Sequence, residues 1–285
     1  MLQSTPPSPD RKAEPFYLDG PHGKLFAIYH PPQNNIQVKG CFLYIQPLAE
    51  EMNRCRQMVA LQAREFSKLG YGCLLLDLYG TGDSDGMYQD GNWDIYLADL
   101  NAGFQWISAE GYDHVRLWAL RHGAFLALDL ARAMPELRRV LLWQPVLNGK
   151  AAVTQLLRIA LAGALSEQDK ISMFELRRRM QDDAVVELSG YETSASLLSV
   201  LETKHMSSYF GLTDLEIQWF DVLASQEQNR AKESIQIEQN WKEAGAQIHY
   251  EAVIGPAFWQ VWERVVANHL IECTSTWAQK PSRDK

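Results

Sequence analysis

Residues 118 to 125 read WALRHGAF, and the fold turns on that stretch. The apolar run VRLWAL (115–120) leads into it, and an Ala- and Leu-rich segment from Gly123 to Met134 leads out, closed by Pro135. The pattern predicts a strand that turns sharply into a helix, with small residues Ala119, Gly123 and Ala124 around the bend. Such a turn lifts the residue at its apex above the carboxyl end of a sheet strand, and attacking side chains are commonly displayed there. Here the apex is Arg121. A guanidinium stays protonated at any working pH, so it cannot attack a carbonyl carbon. A cation at a helix N-terminus is also opposed by the helix dipole, by about 0.3–1 kcal/mol. Arg121 is therefore expected to hold a local acidic partner or an anionic ligand.

Outward from this turn, short apolar runs alternate with longer amphipathic ones. Strands are predicted at 24–30, 40–48, 71–80, 115–120, 139–146, 216–222 and 247–255, with 15–20 as an antiparallel edge. Several are apolar on both faces, as strands buried between helix layers must be. Helices are predicted from Met52 to Leu69, from Asn92 to Ile107 with Asn92 as its cap, from Gly123 to Met134, from Asn229 to Ala244 and from Phe258 to Trp277. The fold class is α/β: a mostly parallel sheet with helices on both faces. Residues 149–213 break the rhythm, with helix-like pieces and no convincing strand, and read as a helical cap inserted into a core of 15–148 and 214–277. The Pro- and Ser-rich segment 1–14 and residues 278–285 read as disordered tails.

The formal net charge of −8, with acidic and basic residues interleaved, argues against nucleic acid or an anionic membrane as the main partner. No apolar run approaches the roughly 20 residues of a spanning helix. The N-terminus shows no apolar secretory core. Cys41, Cys55, Cys73 and Cys273 lack metal-ligand spacing and read as buried free thiols, so the cytoplasm is the expected compartment and no metal or cofactor is expected.

Ligands of open α/β sheets bind beyond the carboxyl ends of the strands, so four loops matter. In DLYGTGDSDG (77–86), Gly82 to Gly86 match the G-x-S-x-G nucleophile pattern. No strand directly precedes Ser84 and no helix directly follows it, so the match reads as a glycine-turned loop rather than a nucleophile site. The 118–125 turn has the correct context with the wrong apex. QPLAEEMNR (46–54) is the loop that supplies a backbone N–H to an oxyanion hole in this architecture, and its Glu50 and Glu51 are candidates to face Arg121 or simply to favour a helix N-terminus from solvent. VIGPAFWQ (253–260) should carry a catalytic histidine and instead carries Phe258 and Trp259. His249 and His269 fall inside a strand and a helix, and Asp221 has no imidazole to orient. Trp93, Trp219 and Trp262 read as core.

These features together, over about residues 15 to 277, resemble the α/β-hydrolase superfamily. More narrowly, PFYLDGPHGKLFAIYHPP, PLAEEMNRCRQMVALQAR, GYGCLLLDLYGTGDSDG, LWALRHGAFLAL and LLWQPVLNG, five blocks in order, resemble the bacterial family called exosortase A system-associated hydrolase 2. That resemblance implies a link, through gene neighbourhood, to exopolysaccharide synthesis and the sorting of PEP-CTERM proteins. The superfamily's nucleophile carries over onto Arg121 and its histidine onto Phe258–Trp259, and both departures weigh against esterase chemistry. In a studied serine protease, losing either group costs roughly a million-fold in turnover. The expectation is a ligand- or partner-binding protein on a hydrolase scaffold. Its pocket would be formed by Arg121, His122, Glu50, Glu51, Asp83 and Trp259, and its partner would be a small anionic or acyl-bearing molecule or a protein of the polysaccharide and sorting machinery. The alternative is an acyl hydrolase with a non-standard mechanism, in which His122 activates water and Arg121 stabilises the oxyanion.

Overall fold

The computed structural model describes residues 12–163, 172–182, 184–188, 190–209, 212–213 and 215–280. Among them, eight strands form one sheet in the order β1-β2-β4-β3-β5-β6-β9-β10. These are β1 (Glu14–Asp19), β2 (Lys24–His30), β3 (Gly40–Ile45), β4 (Tyr71–Leu76), β5 (Val115–Leu120), β6 (Arg139–Trp143), β9 (Glu216–Leu223) and β10 (Gln247–Ile254). From β4 to β10 every pairing is parallel, while β1–β2 and β2–β4 are antiparallel.

Strand alternation divides the core in two, because successive side chains point to opposite faces. Cys41, Leu43 and Ile45 of β3 and Leu117 and Ala119 of β5 pack beneath α2 (Trp93–Ala109), α3 (Gly123–Ala133) and α7 (Lys232–Glu243). Phe42, Tyr44, Trp118 and Leu120 pack beneath α1 (Glu50–Lys68) and α8 (Asn268–Gln279). Fully burying such a side chain is worth roughly 1.5–3 kcal/mol, so both apolar faces of β3 and β5 hold the sheet central. Asn92 caps α2 by accepting from the Ile95 N–H at 3.0 Å.

Between β6 and β9 lie α4 (Gly149–Gly163), α5 (Met173–Asp182), the antiparallel pair β7 (Val185–Leu188) and β8 (Tyr191–Ser194), and α6 (Ala195–Thr203). The hairpin corrects the strand-free reading of this interval. It turns through Gly190 at φ +84°, a conformation without steric cost only for glycine. A second correction concerns the end of the chain. Residues 258–267 form a loop rather than helix, and α8 begins at Asn268 and continues to Gln279, beyond the expected end of the core at 277. The loop lets two consecutive aromatics, Phe258 and Trp259, both turn into the core beside Trp143. Trp93 and Trp219 are buried as expected, but Trp262 is 78% exposed. Several strands stop short of their apolar runs, at Ile45 before Pro47 and at Trp143 before Pro145. The expected tails fall largely outside the described residues, although β1 already starts at Glu14.

The turn of 118–125 is built as its sequence requires. β5 ends at Leu120, Arg121 takes φ +55°, and α3 starts at Gly123. A Cβ on Gly123 would stand 2.6 Å from the Ile45 carbonyl oxygen and 2.7 Å from that of Gln46, both backbone atoms that cannot swing aside. Gly123→Ala is therefore expected to destabilise the chain by about 2–3 kcal/mol in urea unfolding. Unchanged stability would mean that the turn does not press on β3.

Candidate active site

Arg121 occupies the apex in a left-handed conformation that costs a non-glycine residue about 1–2 kcal/mol, and its surroundings hold it there. Its N–H donates to Trp143 O at 3.0 Å, and its carbonyl accepts from Ala124 and Val146. The guanidinium meets Glu51 in a two-pronged ion pair, Nε to Oε2 at 3.1 Å and Nη2 to Oε1 at 3.2 Å. Nη1 reaches Gln144 O at 3.4 Å, and the Trp259 ring covers the charge at 5.3 Å. Both side chains of the pair are about four-fifths buried, the setting in which a fork-to-carboxylate contact is strongest. Glu51 lies in the first turn of α1, where the helix dipole favours its charge.

His122 follows the apex and is buried. Burial, the dominant effect, lowers its pKa to about 4 against the opposing pull of Glu51. The ring is thus neutral at pH 7. Its Nδ1 stands 3.5 Å from Glu51 Oε2, too far for a good hydrogen bond, and has no partner. Glu51 serves Arg121, not His122.

The remaining expected site residues do not converge on the apex. Glu50 turns the other way: it accepts from the Tyr191 hydroxyl at 2.6 Å and lies 4.0 Å from Arg54, so the insertion is latched to the start of α1. Asp83 is exposed, with its backbone N–H donating to Asp77 Oδ2. Ser84 is committed elsewhere, donating to Asp77 O at 2.7 Å and accepting from Phe26 N at 2.8 Å, so it buttresses the loop against β2. Trp259 lies over the Arg121 guanidinium, and Phe258 packs edge-to-face against Trp259. Asp221 is buried and its carboxyl is pushed up by burial, while it accepts from Trp219 Nε1 at 2.7 Å and Tyr250 Oη at 3.0 Å. On the loop before α1, the Ala49 N–H, a candidate oxyanion donor, is taken by the Tyr88 hydroxyl at 3.0 Å. Cys55, one turn along α1 from Glu51, has its thiol pushed well up by burial, which disfavours the thiolate.

Two participants were not anticipated. Gln144, at φ +43° directly after β6, presents its carbonyl to Arg121 and ties its side chain to Val222 N at 2.6 Å. No sequence signal marks it, since a residue before proline is expected to be extended. Tyr191 was hidden by the unrecognised hairpin, although the SG step at 189–190 between VVEL and YETS is a hairpin signal. Among the described residues no group of three or more His, Cys, Asp or Glu is placed to hold a metal ion, and no helix is long and apolar enough to cross a membrane.

Comparison with solved structures names this architecture. Est1E from Butyrivibrio proteoclasticus, solved with ferulic acid bound, superposes with a TM-score of 0.60 at 16% identity, over 93% of this chain and 96% of that one. GrgF from Penicillium sp. sh18, an alpha/beta hydrolase, gives 0.59 at 13% identity, covering 86% and 91%. XC6422 from Xanthomonas campestris, an a/b serine hydrolase without lid, gives 0.52 at 16%, covering 96% and 95%. No family model matches the chain, and no curated protein matches it. The chain has the α/β-hydrolase fold. At these identities the likeness extends to the fold alone.

The buried His122 generates a pH signature. Its native pKa lies near 4, below the ordinary 6.5, so the unfolded chain takes up a proton that the native ring refuses. Stability from this group is intact above pH 6.5 and lost as pH falls towards 4, by about 2 kcal/mol at pH 5. Urea unfolding at pH 7 and pH 5 is expected to show a smaller loss in His122→Gln than in the parent. Equal losses would place a charged or solvated ring at this position.

Proposed function

We propose that the chain is a non-catalytic partner-binding protein built on the α/β-hydrolase fold, its former catalytic crevice closed by an internal ion pair. The observation that carries this reading is the Arg121–Glu51 fork beneath Trp259. An apex cation left free would favour a small anionic ligand at the elbow. A cation whose donors are spent on Glu51 and Gln144 O favours recognition through the surface instead. Arg121, His122, Glu51 and Trp259 then act as a plug, and Glu50 joins it to the inserted segment 149–213, read as a cap. Beside the plug, Trp262 stands exposed with the Arg54 guanidinium stacked 4.2 Å from its ring. An exposed Trp backed by a largely buried Arg is of the kind that anchors protein interfaces. The resemblance of the five sequence blocks supports a partner within the exopolysaccharide and PEP-CTERM sorting machinery.

The alternative of an acyl hydrolase using His122 as base has less support. A base must reach the water it activates, and His122 is enclosed, with its nearest acid already engaged.

Hydrolysis of p-nitrophenyl acetate and butyrate tests the proposal. Turnover is expected at the uncatalysed background for the parent, for Arg121→Ala, and for Arg121→Ser, which restores the apex hydroxyl without its histidine. Robust turnover by the parent that Arg121→Ala abolishes would overturn it.

A further inference from the structure

A second concavity lies away from the elbow, on the α1 side of the sheet near its antiparallel edge. α1 presents Met52, Arg56, Ala60 and Arg64 at four-residue intervals, a single stripe along the helix. The stripe overhangs β2 and β4 without closing on them, leaving a cavity of about 250 Å³ over Phe26, Ile28 and Leu75. On β2 the alternation exposes the gap: Leu25 and Ala27 on the opposite face are fully buried, while Phe26 and Ile28 are only half-buried. A second cavity of about 310 Å³ adjoins it, sharing Ala13, His30 and Arg64 and adding Lys12 and Lys68. The walls are mostly carbon, and the polar groups gather at the two ends.

The charges at those ends differ. At the inner end Arg56 is neutralised by Asp77, at 3.1 Å from each carboxylate oxygen. At the outer end Lys68 pairs with Glu65, but Arg64 and Lys12 have no acidic partner among the described residues. The nearby His30 is buried, and burial with the Arg64 charge lowers its pKa to about 4, so the ring adds no charge at pH 7. A chain of net charge −8 thus places, at the mouth of an apolar trough, two cations without an acidic partner among the described residues. Such a mouth complements an anion, and the trough complements a hydrocarbon tail.

We infer that the cleft between α1 and the β2–β4 edge binds an amphiphilic carboxylate, an acyl chain lying over Phe26, Ile28 and Leu75 with its carboxylate on Arg64. The site is distinct from the elbow and does not depend on whether the elbow is catalytic.

Isothermal titration of the full chain with decanoate, decanol and decyltrimethylammonium, below their micellar concentrations, tests this. Decanoate is expected to saturate a single site, with decanol at least tenfold weaker and the cationic amphiphile weaker still. Arg64→Glu is expected to weaken decanoate at least tenfold. Ala60→Trp, which fills the trough, is expected to abolish binding, and Ile28→Glu, at a half-buried position facing it, should repel the ligand if the first variant folds poorly. Absence of saturable decanoate binding, equal affinity for the cationic amphiphile, or undiminished binding in folded blocking variants would each overturn the assignment.

Discussion

A guanidinium fixed at the apex of a strand–turn–helix needs a counter-charge, and Glu51 supplies it through two bonds of 3.1 and 3.2 Å. Three unfavourable conditions meet at that point: a left-handed backbone, a cation at a helix N-terminus, and about four-fifths burial of the side chain. Each is unfavourable for a long charged residue. Together they are offset because the carboxylate comes from the N-terminal turn of α1, where its own charge is favoured, and because the Trp259 ring covers the guanidinium.

The neighbouring structure follows from this pair. The turn can bring Arg121 to α1 because Gly123 lets α3 start against the carbonyls of Ile45 and Gln46 at the end of β3. The irregular loop 255–267 lets Trp259 cover the pair while Phe258 packs on Trp143 in the core. The adjacent Glu50, about 100° further round α1, faces the inserted hairpin instead and meets Tyr191. Two consecutive glutamates therefore connect the sheet, the elbow and the insertion. Along the same crevice Arg121 stands at the apex under Trp259, and the Asp221 carboxylate accepts from Trp219 and Tyr250.

Much of this was legible because the physics is local. The 115–134 pattern specifies a strand, a tight turn and a helix, and the charge rule at a helix N-terminus calls for an acidic partner or an anionic ligand at Arg121. Sequence narrowed that acid to Glu50 or Glu51; only the rotation of α1 chooses between them. Other parts depend on contacts with no periodic trace. Trp259 and Trp262 lie three residues apart in an irregular loop, and nothing in their spacing tells that one is buried and the other exposed. Asp83 sits in a loop whose glycines aim it at solvent rather than at the crevice. Gln144 enters through an unusual backbone angle that no residue type advertises.

The energetic coupling of Arg121 and Glu51 holds the elbow closed, and a double-mutant cycle measures it directly. Urea unfolding of Arg121→Ala, Glu51→Ala and the double variant is expected to give a coupling of about 1–3 kcal/mol. Additivity within about 0.3–0.5 kcal/mol would show a guanidinium that stands free in the crevice, and would contradict the sealed elbow on which the non-catalytic reading rests.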